Sequence, residues 1–116
     1  MLTSLVERAP GARGAVFCDY EGESVGLVIR DAGLSEYEMK VFGAQLAALL
    51  LSLQASSKEN GAGPLTELRV CCASGTLLCR LVQDGYYVAL LVGGGSPSAA
   101  AAFALRAAAT EIAAAL

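Results

Sequence analysis

The stretch from Ser35 to about Ala55 constrains the fold most, because it predicts one long helix that is apolar on two opposite sides. Ser35 and Glu38 have the spacing of a capping box, in which the two side chains satisfy backbone N–H groups of the first turn. A helix on the surface of a single domain usually carries one apolar stripe, with polar residues opposite. We therefore expect this helix to be covered from both sides.

The two apolar faces differ in the size of their side chains. One face is bulky and suits packing against a sheet; it carries Met39, Phe42, Leu46, Leu49, Leu50 and Leu53. The opposite face is flatter and rich in alanine; it carries Tyr37, Val41, Ala44, Ala48, Leu51 and Ala55. Small side chains permit close approach by another helix. In a chain of 116 residues, we expect that helix to come from a second copy.

Composition points to one packed domain that has a partner. The 116 residues suit a single domain, 1–116, with no linker or internal repeat. Apolar residues make up 55% of the chain and charged residues only 16%, against about 25% in an average soluble domain. Because so few charges must cover the surface, a lone copy is expected to expose apolar patches, which a protein partner would cover.

Charge and residue types exclude several function classes. The net charge is −3 and the basic residues form no stripe, so we expect no nucleic-acid partner. Histidine is absent from the sequence, which removes the commonest general base and the commonest zinc ligand. No signal peptide is recognisable, and the strongest apolar run, Leu46 to Leu51, is far shorter than a membrane span. We therefore expect a cytoplasmic protein without membrane insertion.

The cysteines are predicted to be structural. They are Cys18, Cys71, Cys72 and Cys79, and none of them form a Cys-x-x-Cys pair. In a reducing cytosol they are expected to behave as four small buried hydrophobes. The alternative is a reactive thiol, for which only Arg69 or Arg80 is close enough in sequence to stabilise the thiolate.

Hydrophobic periodicity predicts eight elements in the order helix, two strands, helix, three strands, helix. Runs of β-favouring residues at 15–20 and 24–29 flank a glycine turn and predict a hairpin covered on both faces. Residues 66–73 alternate as in an edge strand, Asp84-Gly85 marks a hairpin turn, and 86–92 is apolar enough for a central strand. Ser96 and Pro97 are expected to cap a final, alanine-rich helix.

The predicted fold class is α+β, an α/β sandwich. A five-stranded, mostly antiparallel sheet has the terminal helices on one face and the middle helix on the other.

No group of residues predicts catalysis. Gly93-Gly94-Gly95-Ser96-Pro97 precedes a helix but lacks the lysine and the spacing of phosphate-binding loops. The carboxylate pairs Glu21/Glu23 and Glu36/Glu38 occupy a turn and a helix start. We expect no catalytic residue, no metal and no cofactor. The chain is predicted to be an interaction protein and not an enzyme.

Short motifs in a fixed order run along the chain. They are Leu5-Val6-Glu7-Arg8, Gly14-Ala15-Val16, Asp19-Tyr20-Glu21-Gly22, the apolar helix at 35–55, Leu77-Leu78-Cys79-Arg80-Leu81, and the run from Asp84-Gly85 to Leu91. In their order and spacing they resemble the roadblock family, named from a dynein light chain and widespread in bacteria and archaea. The resemblance covers essentially all of the chain.

The resemblance implies a dimer, either of two identical copies or with a paralogous roadblock protein. In the family, two middle helices pack together and two edge strands join the sheets. Carried over to this sequence, the implied interface consists of Tyr37, Val41, Ala44, Ala48, Leu51, Glu67, Arg69 and Cys71.

The resemblance also implies a function in regulation. Family members bind Ras-like small GTPases as activators or scaffolds, and the bacterial regulators of cell polarity and motility are the nearest functional analogy. The leading hypothesis is a non-enzymatic dimeric regulator of such a GTPase. The alternatives are a structural adaptor subunit without GTPase contact and a small-molecule sensor.

Overall fold

A computed structural model gives the fold and describes residues 1–83 and 85–116, without the side chains at 57–59. The elements, in chain order, are α1 Leu2–Arg8, β1 Ala12–Asp19, β2 Ser24–Ile29, α2 Glu36–Glu59, β3 Glu67–Cys72, β4 Gly75–Gln83, β5 Tyr86–Gly93 and α3 Ser98–Ala115. This order is the predicted one, and the α+β class is confirmed. Asp84 of the predicted Asp-Gly turn lies outside the described residues, and Gly85 beside it has φ +85°.

The five strands form a single sheet in the order β2-β1-β5-β4-β3, with every neighbouring pair antiparallel. β5 lies at the centre, as its continuous apolar run predicts. β3 lies at one edge, as its alternation predicts. β2 occupies the other edge, and its side chains are half-buried or exposed. The expectation that both strands of the first hairpin are covered on both faces is met only in part by β2: Leu27 packs against the core beneath α2 and Val28 against the opposite core, but Val25 is 63% exposed.

The helices divide between the two faces of the sheet as expected. α1 and α3 cover one face, where the core contains Leu5, Val6, Ala15, Phe17, Leu78, Val88, Leu90, Leu105, Ala108 and Ile112. α2 covers the other face, where the core contains Val16, Cys18, Leu34, Met39, Leu46, Leu50, Cys79, Tyr87, Ala89 and Leu91. β1 and β5 send alternate side chains into both cores, since successive residues of a strand point to opposite faces.

The start of α2 is capped as the sequence predicts. The Ser35 hydroxyl accepts a hydrogen bond from the Glu38 backbone N–H over 3.0 Å, and the Glu38 carboxylate accepts one from the Ser35 N–H over 3.1 Å. The helix continues to Glu59, four residues beyond the predicted Ala55.

The start of α3 differs from the prediction. Pro97, not Ser96, is the N-cap, and no side chain caps the helix. The Ser96 side chain instead lies over Gly11, where an added Cβ would come within 1.8 Å of the Ser96 Oγ. Gly11 has φ +74° and its carbonyl accepts a hydrogen bond from Gly93 N–H over 2.9 Å. A tertiary contact therefore takes the serine away from its capping position.

α2 approaches the sheet closely at Gly43. A Cβ at this position would lie 2.9 Å from the Cys18 Sγ and 3.2 Å from a methyl carbon of Val16, both on β1. The hydroxyl of Tyr87 on β5 donates a buried hydrogen bond to the Gly43 carbonyl over 2.6 Å. The missing side chain lets the helix backbone reach the sheet, and the tyrosine fixes it there.

We predict that Gly43→Leu destabilises the fold by about 1–3 kcal/mol, because the core has no room for the added side chain. Leucine is a better helix former than glycine, so a loss of stability would arise from packing alone. The measurement is the free energy of unfolding in urea. Gln45→Leu, at an exposed position of the same helix, is the matched control and should change stability by no more than about 0.5 kcal/mol. Equal stability of the two variants would contradict the close approach.

Candidate functional site

The outer side of α2 is an exposed surface with few charges. Tyr37 is 77% exposed and Leu51 is 52% exposed. Ala44 and Ala48 between them are exposed, and Val41 is half-buried. We call these five residues the outer face of α2. Met39, Leu46 and Leu50 on the inner side are at most 4% exposed, so the helix presents two distinct sides, one packed on the sheet and one open.

One residue of the predicted inner face lies elsewhere. The wheel pattern predicts that Leu49 faces the sheet, but Leu49 is 41% exposed, whereas Ala47 is 4% exposed. The helix is turned this way because its small residues allow the closest contacts. Gly22, in the turn after β1, packs on the flank of the helix between its two sides, where an added Cβ would lie 3.2 Å from the Ala44 Cα and 3.7 Å from the Ala47 Cβ.

By length and composition alone, the segment Glu36–Ser56 is also long and apolar enough to cross a membrane. The short run Leu46 to Leu51 therefore understates how apolar this segment is. About a quarter of it, 28%, is buried within the chain. The core helix of a folded domain can be equally long and apolar. Here the inner side packs against the sheet, while the outer side supplies much of the exposed apolar surface.

β3 provides a second open feature, because it forms a free edge of the sheet. Leu68 and Val70 point toward the core beneath α2. Glu67, Arg69 and Cys71 alternate with them and so point to the opposite face, the one on which α3 lies. The structure thus places the two groups of predicted interface side chains on different faces of the sheet. What the edge of β3 and the outer face of α2 have in common is that both are open to solvent.

Glu67 lies at the centre of an ion-pair cluster. Its carboxylate accepts hydrogen bonds from Arg69 over 3.3 Å, from Arg80 over 3.3 Å and from Arg106 over 3.4 Å. Burial alone would raise the pKa of Glu67, but the hydrogen bonds and charges of Arg106 and Arg69 outweigh it and hold the pKa below its usual value. Sequence patterns place neither Arg80 nor Arg106 beside Glu67. The cross-strand pair Glu67–Arg80 follows from the β3–β4 register, whereas Arg106 is brought in by the packing of α3.

The four cysteines divide into two kinds. Cys18 and Cys79 are fully buried, and burial raises the pKa of both thiols, that of Cys79 to about 12. These two thiols are therefore protonated at neutral pH and unsuited to nucleophilic chemistry. Cys71 and Cys72 are exposed, so the expectation that all four are buried is wrong. They lie at the hairpin end of an edge strand, which neither layer of helices covers.

A groove lies between the end of α2 and the β4–β5 hairpin. It has a volume of 370 Å³ and mostly apolar walls, with Tyr20, Leu51, Pro64, Leu81 and Tyr86 among the lining residues. Because Leu51 belongs to both, the groove continues the outer face of α2. Sequence reasoning missed this groove because its walls come from four separate segments.

Among the described residues, no three or more cysteine, aspartate or glutamate side chains are grouped as a metal would require.

We predict that Cys72→Ser leaves the free energy of unfolding within about 0.5 kcal/mol of the wild type, because the side chain is already in water. Cys79→Ser should cost about 1–3 kcal/mol, because it places a hydroxyl in an apolar core. Urea unfolding of both variants provides the comparison. A costly Cys72→Ser substitution would mean that something covers this end of β3.

Comparison with known proteins identifies the family. The family profile described as Roadblock/LC7 domain matches residues 1–92. No curated protein sequence matches the chain. A Roadblock/LC7 domain from Streptomyces avermitilis shares the fold with a TM-score of 0.84 at 19% identity, over 96% of this chain and 90% of that one.

Two further solved structures are similar. The gliding protein MglB from Thermus thermophilus has a TM-score of 0.86 at 16% identity, over 97% of this chain and 82% of that one. MglC from Myxococcus xanthus has a TM-score of 0.71 at 25% identity, over 99% of this chain and 95% of that one. Since the family profile matches most of the sequence and the whole fold agrees with solved examples, the chain belongs to the Roadblock/LC7 family.

Proposed function

We propose that the protein is a non-enzymatic regulator or scaffold that self-associates through the outer face of α2 and binds a Ras-like small GTPase in the cytoplasm. The observation that carries the proposal is the exposed apolar side of α2, with Tyr37 at 77% and Leu51 at 52% exposure. Contiguous apolar surface of this kind is a mark of protein–protein contact sites. The small side chains of Ala44 and Ala48 would allow two such helices to approach closely.

The free edge of β3 supports the same mode of association. An edge strand presents unpaired backbone N–H and C=O groups, which a second strand can satisfy. Pairing of two β3 strands would join two sheets into one, with both α2 helices on the same side. Glu67, Arg69 and Cys71 would then lie near the junction, on the side of α3. The partner in this arrangement is a second copy of the chain or a paralogous roadblock protein.

Membership of the Roadblock/LC7 family supports the assignment to small-GTPase regulation. The fold similarity to MglB, a gliding protein, and to MglC favours a role in bacterial motility or cell polarity. In this proposal the chain modulates the nucleotide cycle or the location of the GTPase through surface contact, without contributing a catalytic group of its own.

We predict that Leu51→Glu splits the dimer. A buried, unpaired carboxylate between two helices should weaken association by about 3 kcal/mol or more, which is more than about a hundredfold in Kd. Light scattering at micromolar concentration should give twice the chain mass of 11.8 kDa for the wild type and the single mass for the variant.

Leu49→Glu is the matched control for this experiment. It introduces the same charge on the same helix, at a position that is 41% exposed and outside the outer face of α2. This variant should retain the mass of the dimer. A wild-type protein that is monomeric at micromolar concentration would refute self-association, and a Leu51→Glu variant that stays dimeric would place the contact elsewhere.

We predict direct binding to a Ras-like GTPase of the same organism, with at least about tenfold preference for one nucleotide state. Calorimetry with the GTP- and GDP-loaded forms measures that preference, and a hydrolysis assay measures the effect on turnover. Equal affinity for both nucleotide states would favour the structural adaptor. Absence of binding to every such GTPase would exclude the regulator.

A further inference from the structure

Positive charge is concentrated on the face of the sheet opposite α2. Arg69 comes from β3, Arg80 from β4 and Arg106 from α3, and all three donate hydrogen bonds to the carboxylate of Glu67. The Glu67 side chain is 16% exposed, whereas the arginine side chains are 28–50% exposed. The carboxylate thus lies below a rim of three guanidinium groups that solvent can reach. We call these four residues the arginine cluster.

The cluster is not electrically balanced. Three positive charges against one carboxylate leave a net charge of +2. Since the whole chain carries −3, all the other residues together carry −5. The other arginine ion pairs, Arg8 with Glu111 and Arg13 with Asp31, are one to one, and Arg30 donates a hydrogen bond to the Val6 carbonyl as a single charge. Among the described residues, the arginine cluster is therefore a local positive site on a negatively charged protein.

The guanidinium groups also have spare hydrogen-bonding capacity. Each carries about five N–H donors in a planar fork that suits carboxylates. The three groups together make four hydrogen bonds to Glu67. A second carboxylate could therefore be bound above Glu67 without breaking the existing bonds. The partly desolvated position of the cluster against α3 strengthens such charge-assisted hydrogen bonds compared with those in bulk water.

We propose that the arginine cluster is a docking site for an acidic polypeptide segment, which places its carboxylates against Arg69, Arg80 and Arg106. The charge distribution favours a short acidic segment over nucleic acid, because a long polyanion would meet the net −5 of the surrounding chain. The site lies on the face opposite α2 and is complete within one copy. The inference goes beyond the proposed self-association, although Glu67 and Arg69 also lie on β3, near the proposed junction between two copies.

The test measures fluorescence anisotropy of a fluorescein-labelled peptide of alternating glutamate and serine, with a glutamine–serine peptide for comparison. At about 50 mM NaCl the acidic peptide should bind and the neutral peptide should not, and binding should weaken at about 200 mM NaCl. The double variant Arg69→Gln/Arg106→Gln should bind the acidic peptide about tenfold more weakly. Arg80 is kept in that variant so that Glu67 retains a partner.

The matched control is Arg8→Gln/Arg13→Gln, which removes the same charge from two one-to-one ion pairs. This variant should lower the affinity by less than about twofold. An equal loss in both double variants would show that only net charge matters and would overturn the proposal. So would an unchanged affinity in Arg69→Gln/Arg106→Gln, or binding of an oligothymidine as tight as that of the acidic peptide.

Glu67→Gln gives an independent test, in which the affinity for the acidic peptide is expected to rise instead of fall. Removing the internal carboxylate raises the net charge of the cluster and frees its donors, so the acidic peptide should bind about threefold more tightly. Circular dichroism and light scattering on each variant separate a docking defect from loss of folding or of the dimer. Weaker peptide binding by a folded Glu67→Gln protein would contradict the proposed site.

Discussion

The contact between Gly43 and the sheet determines which side of α2 is left open. The helix comes so close to β1 that an added Cβ would lie 2.9 Å from the Cys18 sulfur, and the Tyr87 hydroxyl binds the Gly43 carbonyl over 2.6 Å. These contacts fix both the depth of the helix and its rotation. With Gly43 against the sheet, Met39, Leu46 and Leu50 become core residues. The outer face of α2 must then face outward, because it lies on the other side of the same helix.

The same contact accounts for the protonation state of the polar groups in the core beneath α2. It holds Cys18, Cys79 and the Tyr87 hydroxyl in apolar surroundings, where the charged form of each group is poorly solvated. Burial raises the pKa of both thiols and of the phenol. All three groups are therefore neutral at physiological pH. The Tyr87 hydroxyl donates a hydrogen bond to a carbonyl of α2, and this bond holds the helix against the sheet.

Local patterns in the sequence predict the elements, their order and the layers, because each depends on residues close in the chain. The capping box at Ser35 and the alternation in β3 are examples, since both follow from local hydrogen bonding and pleating. Features that depend on contacts between distant segments are not predictable in this way. Ser96 packs over Gly11 instead of capping α3, and Leu49 is turned outward by the contacts of its neighbours. Arg106 joins Glu67 only because α3 crosses β4.

The sheet separates two surfaces of different character. On the α2 side, the open surface is apolar and nearly uncharged, a composition suited to a flat, closely packed contact. On the α3 side, the arginine cluster is polar and positive, which favours selective recognition and fast association over a large buried area. Because the two surfaces lie on opposite faces, packing of two α2 helices would leave the arginine cluster uncovered, whereas pairing of two β3 edges would bring the clusters of the two copies close to the junction. A protein that self-associates through α2 would therefore keep a copy of the arginine cluster available on each protomer, and a partner with two acidic segments could bind both with increased avidity. Such an arrangement matches the proposed role of a scaffold, whose output is the assembly of other proteins.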